Sequence, residues 1–298
     1  MGDESRPSWL RRLFKNATEL RAGWRLLLFV ALCYVFIRGE IWIVLRLNLP
    51  DRPFLDPVRL FRDDLFALLP ILAATLIMAR LERRRLPDYG IPVRQAFGRH
   101  FWAGTGWGFG AVSLLLGLIA LGGGYKILGL ALEGRDLAYY LVLWLAAAVM
   151  IGFTEEIAFR GYVLRTLGAG IGFWPAAVLL SIGFGALHYF TKPYERWEDF
   201  ACTGLLGLFL CLALRRTGSL AFPIGFHLAF DFGAMFVYSG KNAGEFAVGH
   251  LLRTAWSGSQ WLTGGQLGPE ASWMVFVVIA LLFFAFDRIH CGARFTVG

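Results

Sequence analysis

Three short clusters in this sequence carry residue types able to do chemistry, and all three use helical spacing. The first is Glu155-Glu156-x3-Arg160, the second Phe184-x3-His188, and the third His227-x3-Asp231. Adjacent carboxylates on a helix point about 100° apart. Glu156 and Arg160, four residues apart, share a face and can neutralise each other. That leaves Glu155 aimed elsewhere. A carboxylate in an apolar wall can act as a general base for water, whereas the same residues could simply end a helix at an interface. Phe184 and His188 also share a face. In the third cluster, Asp231 can orient His227, accept its N–H, or sit beside it as a metal ligand. A plain structural His–Asp hydrogen bond would use the same spacing.

Two His and two free carboxylates on separate apolar segments suggest one shared site. Glu155, His188, His227 and Asp231 could activate water directly or hold zinc. The HExxH signature of many zinc peptidases is absent, as is the GxSxG nucleophile elbow.

The elements that must position these groups are membrane helices. Of 298 residues 57% are apolar and only 17% charged, against about 25% charged in soluble domains. Mean hydropathy is +0.58. Such a chain cannot cover a soluble exterior, which excludes a cytosolic enzyme, a disordered chain and a disulfide-stapled scaffold. About eight apolar segments approach the ~20 residues that a span needs. They run from about Trp24 to Leu45, Asp64 to Ala79, Phe101 to Leu121, Leu137 past Glu155, Phe173 to Phe190, Phe200 to Leu214, Leu220 to Tyr238, and Ala271 to Phe286. Backbone groups find no partners in lipid, so length and continuity make these an all-α, polytopic transmembrane bundle. The chain divides into a basic, amphipathic segment (1–23), N-terminal transmembrane helices (24–137), a core (138–238), and an outer loop with the last helix (239–298).

Charge sets the orientation. Of the 29 Lys and Arg, 18 fall on the termini and alternate loops of one side and 10 on the other, with Arg38 inside the first segment. The basic side should face the cytoplasm, with both termini inside. The net charge of +8 then marks sidedness, and nucleic acid is not expected as a partner. The run Arg80, Arg83, Arg84 and Arg85 is an anchor beside anionic lipid.

Other features point to architecture. Arg38 and Glu40 inside the first segment should pair within the bundle. Glycines 104, 106, 108 and 110 lie in an apolar helix and suggest close helix packing. The four Cys form no metal spacing and read as small apolar residues. Trp9, Leu10, Leu13 and Phe14 among basic residues suit a helix lying on the membrane surface, or a frayed tail. No cleavable signal is expected. The 239–271 stretch reads as a connector, with a lid as the other possibility.

The three clusters, in this order, resemble the CPBP family of intramembrane proteases, which includes CAAX proteases and bacteriocin-processing enzymes. Its patterns EExxxR, FxxxH and HxxxD/N are complete here, and the resemblance covers about residues 138–238. It implies that Glu155 and His188 activate water, that His227 and Asp231 stabilise the oxyanion, and that Glu156 and Arg160 hold the site's shape. The family has also been described as metal-dependent, so zinc at Glu155, His188, His227 and Asp231 is an open assignment. The prenyl-endopeptidase branch usually has Asn at the last position. An ionised Asp231 has no proton to give an oxyanion. It must be protonated, orient His227, or bind a metal.

The resemblance thus implies an intramembrane endopeptidase acting on a membrane-associated substrate, prenylated or with a hydrophobic C-terminus. The alternatives are a non-catalytic scaffold or immunity-type protein that keeps the fold, and a transporter. Hydrolysis inside a membrane needs a polar cavity, expected between the fourth, fifth and seventh segments and open toward the cytoplasm. Depth poses a difficulty. His188 lies about 22 Å along its segment and His227 about 10 Å along its own, at ~1.5 Å per residue. The clusters are expected to meet if the fourth helix continues past Glu155, to about Leu167, with Arg160 and Arg165 in the cavity or at the interface, and if tilt or a kink in the fifth supplies the rest.

Overall fold

Nearly every apolar run becomes a helix at its expected place. The structure, a computed structural model, describes residues 20–194 and 196–297. The proposed surface helix around Trp9 to Phe14 lies outside the described residues. The helices are α1 (Ala22–Leu47), α2 (Pro57–Leu81), α3 (Arg99–Leu121), α4 (Gly134–Arg160), α5 (Tyr162–Ile171), α6 (Phe173–Thr191), α7 (Trp197–Thr217), α8 (Ala221–Asp231) and α9 (Met274–Ile289). A π-helical stretch, Phe232–Val237, continues α8. Six helical runs are long and apolar enough to cross a membrane, with α4 and α5 counting as one run. The combined Ala221–Val237 run and the 16-residue α9 fall short of the ~20 residues that a full span needs. The protein is therefore an integral, multi-pass, all-α membrane bundle.

Its two ends differ. At one end Arg25 of α1 pairs with Glu82 just beyond α2 at 3.2 Å. Glu82 also accepts hydrogen bonds from Tyr89 and from Tyr162, the first residue of α5. Arg165 and Arg216 donate to the C-terminal carbonyls of Thr296 and Gly292. Both described chain ends thus lie here, beside the arginine run. The opposite end is closed by a small antiparallel ribbon of β1 (Tyr125–Leu130) and β2 (Leu252–Trp256). Trp144 of α4 donates there to the carbonyl of Val248, whose own N–H bonds Leu55. The stretch expected as a loose connector therefore contributes ordered structure. At this end Asp56 caps α2 by accepting from the N–H groups of Val58 and Arg59, with Pro57 in the first turn.

Two local features place the chemistry. The first is a break at Gly161, between α4 and α5. A Cβ there would stand 2.5 Å from the carbonyl oxygen of Ile157. The fourth apolar run reaches Ile171, past the expected Leu167, but as two helices broken at Gly161 and not as one continuous helix. Glu155 lies well inside the run instead of at its end.

The second feature is the contact of α3 with α8. Added Cβ atoms at Gly104 and Gly108 would lie 2.1 Å from the carbonyl oxygens of Phe222 and Phe226. The backbones touch through this small-residue face. Gly106 and Gly110 point away, with nothing within 4 Å. Only two of the four glycines therefore serve the packing. Because α8 carries His227, Gly108→Ala should force the helices apart and cost about 1–3 kcal/mol, as overpacking does. Gly106→Ala should leave stability unchanged or slightly raised. Thermal unfolding of the two variants in detergent separates them.

The expected pairing of Arg38 with Glu40 does not occur. Arg38 is exposed on α1, and Glu40 Oε1 has no hydrogen-bond partner among the described residues. Neighbours along a helix point to different sides, and α1 packs only one face on the bundle, leaving much of its apolar surface exposed.

Candidate active site

Helix α4 supplies two acids with different surroundings. Glu156 is fully buried, and its Oε1 accepts a hydrogen bond from Arg160 Nη1 at 2.9 Å. The same oxygen faces His227 Nδ1 at 2.8 Å. Arg160 is also buried, with its guanidinium 4.5 Å from the centre of the Phe184 ring. Neither Arg160 nor Arg165 lines the cavity. Room for Arg160 exists because α7 has Gly207 here. A Cβ at that position would lie 2.6 Å from Arg160 Nη2.

Glu155 turns the other way, toward two imidazoles. Its Oε2 is 3.9 Å from His188 Nε2 and 3.5 Å from His227 Nε2. This oxygen is buried and has no hydrogen-bond partner among the described residues. Asp231 completes the group, with Oδ2 3.5 Å from His227 Nε2. Glu155, Glu156, His188, His227 and Asp231 therefore converge from three helices, α4, α6 and α8. The separation of Glu155 and His188 is far below the ~10 Å beyond which they could not share one water.

Hydrogen bonding fixes which way the rings face. His188 Nδ1 lies 2.9 Å from the carbonyl oxygen of Phe184. A carbonyl only accepts, so Nδ1 carries a proton and Nε2 is turned to Glu155. His227 is oriented in the same manner, with Nδ1–H donating to Glu156 and Nε2 turned to Glu155 and Asp231. Glu156 thus does more than neutralise Arg160: it holds His227. Phe184 packs edge-on against His188 at 4.6 Å and lies 6.3 Å from the His227 ring. The phenylalanine of the second cluster therefore seats both imidazoles.

Glu155, Phe184, His188, His227 and Asp231 line a cavity of about 300 Å³, whereas Glu156 lies behind it. Apolar walls come from Ile151, Leu206, Leu210, Phe226 and Phe230, among others. Residues that sequence spacing did not single out also reach it. Asp64 of α2 lies on the wall, tied to α4 because Thr154 Oγ1 donates to its carbonyl oxygen at 3.0 Å. Its place at the start of an apolar segment was the one available signal. Phe54, Leu55, Lys192, Asn242 and Glu270 complete the wall. All five sit on connections at the ribbon end, opposite the arginine run. The expected cytoplasmic opening would require this end, and not the arginine-rich one, to face the cytoplasm. Burial pushes the Glu270 carboxyl up to about 7, against the lowering influence of Lys192. That reduces its repulsion with Asp231 near neutral pH.

The fit to zinc can be judged from the donors. Among the described residues, no three His, Cys, Asp or Glu side chains stand close enough to hold a metal ion. The sequence's zinc assignment gains no support from this geometry. Cys202 and Cys211 are buried, Cys33 is half-buried and Cys291 exposed.

Compared with protein families, residues 136–233 match the family described as type II CAAX prenyl endopeptidase Rce1-like. The match contains all three clusters. A search of curated proteins found no match to this chain.

Proposed function

Because residues 136–233 form a domain of the CAAX/CPBP family of intramembrane proteases, we propose that this protein is an endopeptidase in which Glu155 and His188 activate water to cleave a membrane-associated peptide. The observation that carries this reading is the unpartnered Oε2 of Glu155, buried in a cavity between two imidazole Nε2 atoms. A water there donates one hydrogen bond to Glu155 and another to the lone pair on His188 Nε2. Glu155 takes a proton as the water oxygen attacks the scissile carbonyl carbon. The carbonyl oxygen becomes an oxyanion and accepts a hydrogen bond from Nε2–H of His227 in its imidazolium form. Glu156 and Asp231 hold that imidazolium from its two nitrogens. Glu155 then gives its proton to the amine nitrogen as the C–N bond breaks, leaving a carboxyl group and an amine. Asp231 acts here by positioning His227, since an ionised carboxylate cannot donate to the oxyanion.

Purified protein in detergent, assayed with a quenched fluorescent peptide library, tests this scheme. His188→Ala and His227→Ala should each lower kcat/KM by about 10²–10³-fold, and His188→Ala should leave thermal unfolding little changed. Cleavage should persist after exhaustive chelation. Loss on chelation with recovery on adding zinc would refute the metal-free scheme.

A further inference from the structure

We infer that the cavity is entered from the extracytoplasmic end of the bundle, and that the substrate is a peptide segment presented on that side. The second half of this inference rests on the protease reading, whereas the first does not. The sidedness follows from two independent observations. Phe54, Leu55, Lys192, Asn242 and Glu270 bring the cavity wall to the connections of the ribbon end. Those connections and their flanking helix ends hold 10 of the 29 Lys and Arg, against 18 at the other end. The positive-inside bias therefore puts the ribbon end outside.

The route from the basic end is closed by packed side chains. Going from Glu155 toward that end along α4 and α5, the chain passes Glu156, Arg160 and Tyr162, each no more than 1% exposed. Going from His227 toward the same end along α8, it passes Ile224, Phe222 and Leu220, none of them exposed. By contrast, His188 is less than one turn from the end of α6. Water and peptide reach Glu155 past Thr191 and Lys192, not past Arg160.

The cavity's charge narrows the substrate further. Four carboxyl side chains, Asp64, Glu155, Asp231 and Glu270, line it against two cations, Lys192 and the His227 imidazolium. Opposite charges attract and like charges repel at this depth. Residues flanking the scissile bond should therefore be apolar or basic, with acidic ones disfavoured.

Thiol labelling tests the sidedness without requiring activity. Cys291 is exposed at the basic end and serves as a native reporter. Reporters for the cavity mouth are Asn242→Cys and, at an exposed position, Thr191→Cys, each with Cys33 and Cys291 replaced by Ser. A membrane-impermeant maleimide added to right-side-out vesicles should label both mouth variants. It should label Cys291 only after permeabilisation. The reverse pattern, or equal labelling of both ends, overturns the inference.

A quenched peptide selected for cleavage in detergent should then be cut in right-side-out vesicles. It should be cut at least 10-fold more slowly in sealed inverted ones. Preferential cutting in inverted vesicles also overturns the inference. If no peptide is cut even in detergent, the protease reading fails, while the labelling pattern still decides which side the cavity faces.

Discussion

Glu155→Gln should reduce peptide cleavage by about 10²–10⁴-fold, the range expected for removing a general base, while leaving the protein folded. The substitution keeps the size of the side chain and removes its ability to take a proton. Little stability should be lost, because Glu155 Oε2 makes no hydrogen bond among the described residues. Removing its charge also relieves repulsion with Asp231 across the same cavity. Single-turnover cleavage beside thermal unfolding in detergent gives both readouts. Activity near that of the unmodified protein in Glu155→Gln would sink the proposed mechanism, because among the described residues no other carboxylate in the cavity faces both imidazoles.

Arg160→Met should be the most destabilising single change at the site. Glu156 and Arg160 are 0% and 1% exposed and lie 2.9 Å apart. Removing one member of such a buried pair leaves an uncompensated charge and costs about 3–5 kcal/mol. Replacing both is cheaper, because no charge is then stranded. Glu156→Gln combined with Arg160→Met should therefore regain much of the lost thermal stability. It should not regain activity, because His227 Nδ1 then lacks the carboxylate that fixes its ring. A double variant as unstable as the single would show that the pair matters through packing around Phe184 and Gly207, not charge. A fully active double variant would show that Glu156 does not position His227.

The two substitutions separate the two adjacent acids, which sequence alone presents as near equivalents. In the proposed mechanism Glu155 is needed for chemistry and not for folding. Glu156 serves both, because one oxygen faces Arg160 along its own helix and His227 on another. The helical offset between them was legible from the sequence. The identity of the group facing each was not.

What the sequence determined by itself was local or averaged. Eight apolar runs and the scarcity of charge required a helical membrane bundle, because lipid cannot satisfy a bare backbone. Four-residue spacing paired Glu156 with Arg160, Phe184 with His188 and His227 with Asp231, because helical periodicity alone brings such residues together. Arg38 and Glu40 lie outside that rule, and no pair formed. Only the tertiary structure decided how the clusters meet. The bend at Gly161 and the glycine contact between α3 and α8 set the depths of Glu155 and His227, and these are contacts between distant segments. The end to which the cavity belongs was decided there as well. Phe54, Lys192, Asn242 and Glu270 lie on three separate connections, with Asn242 and Glu270 far apart on the longest, and no periodicity relates one to another. They share a wall only because the ribbon end folds over the helices that carry the acids and imidazoles.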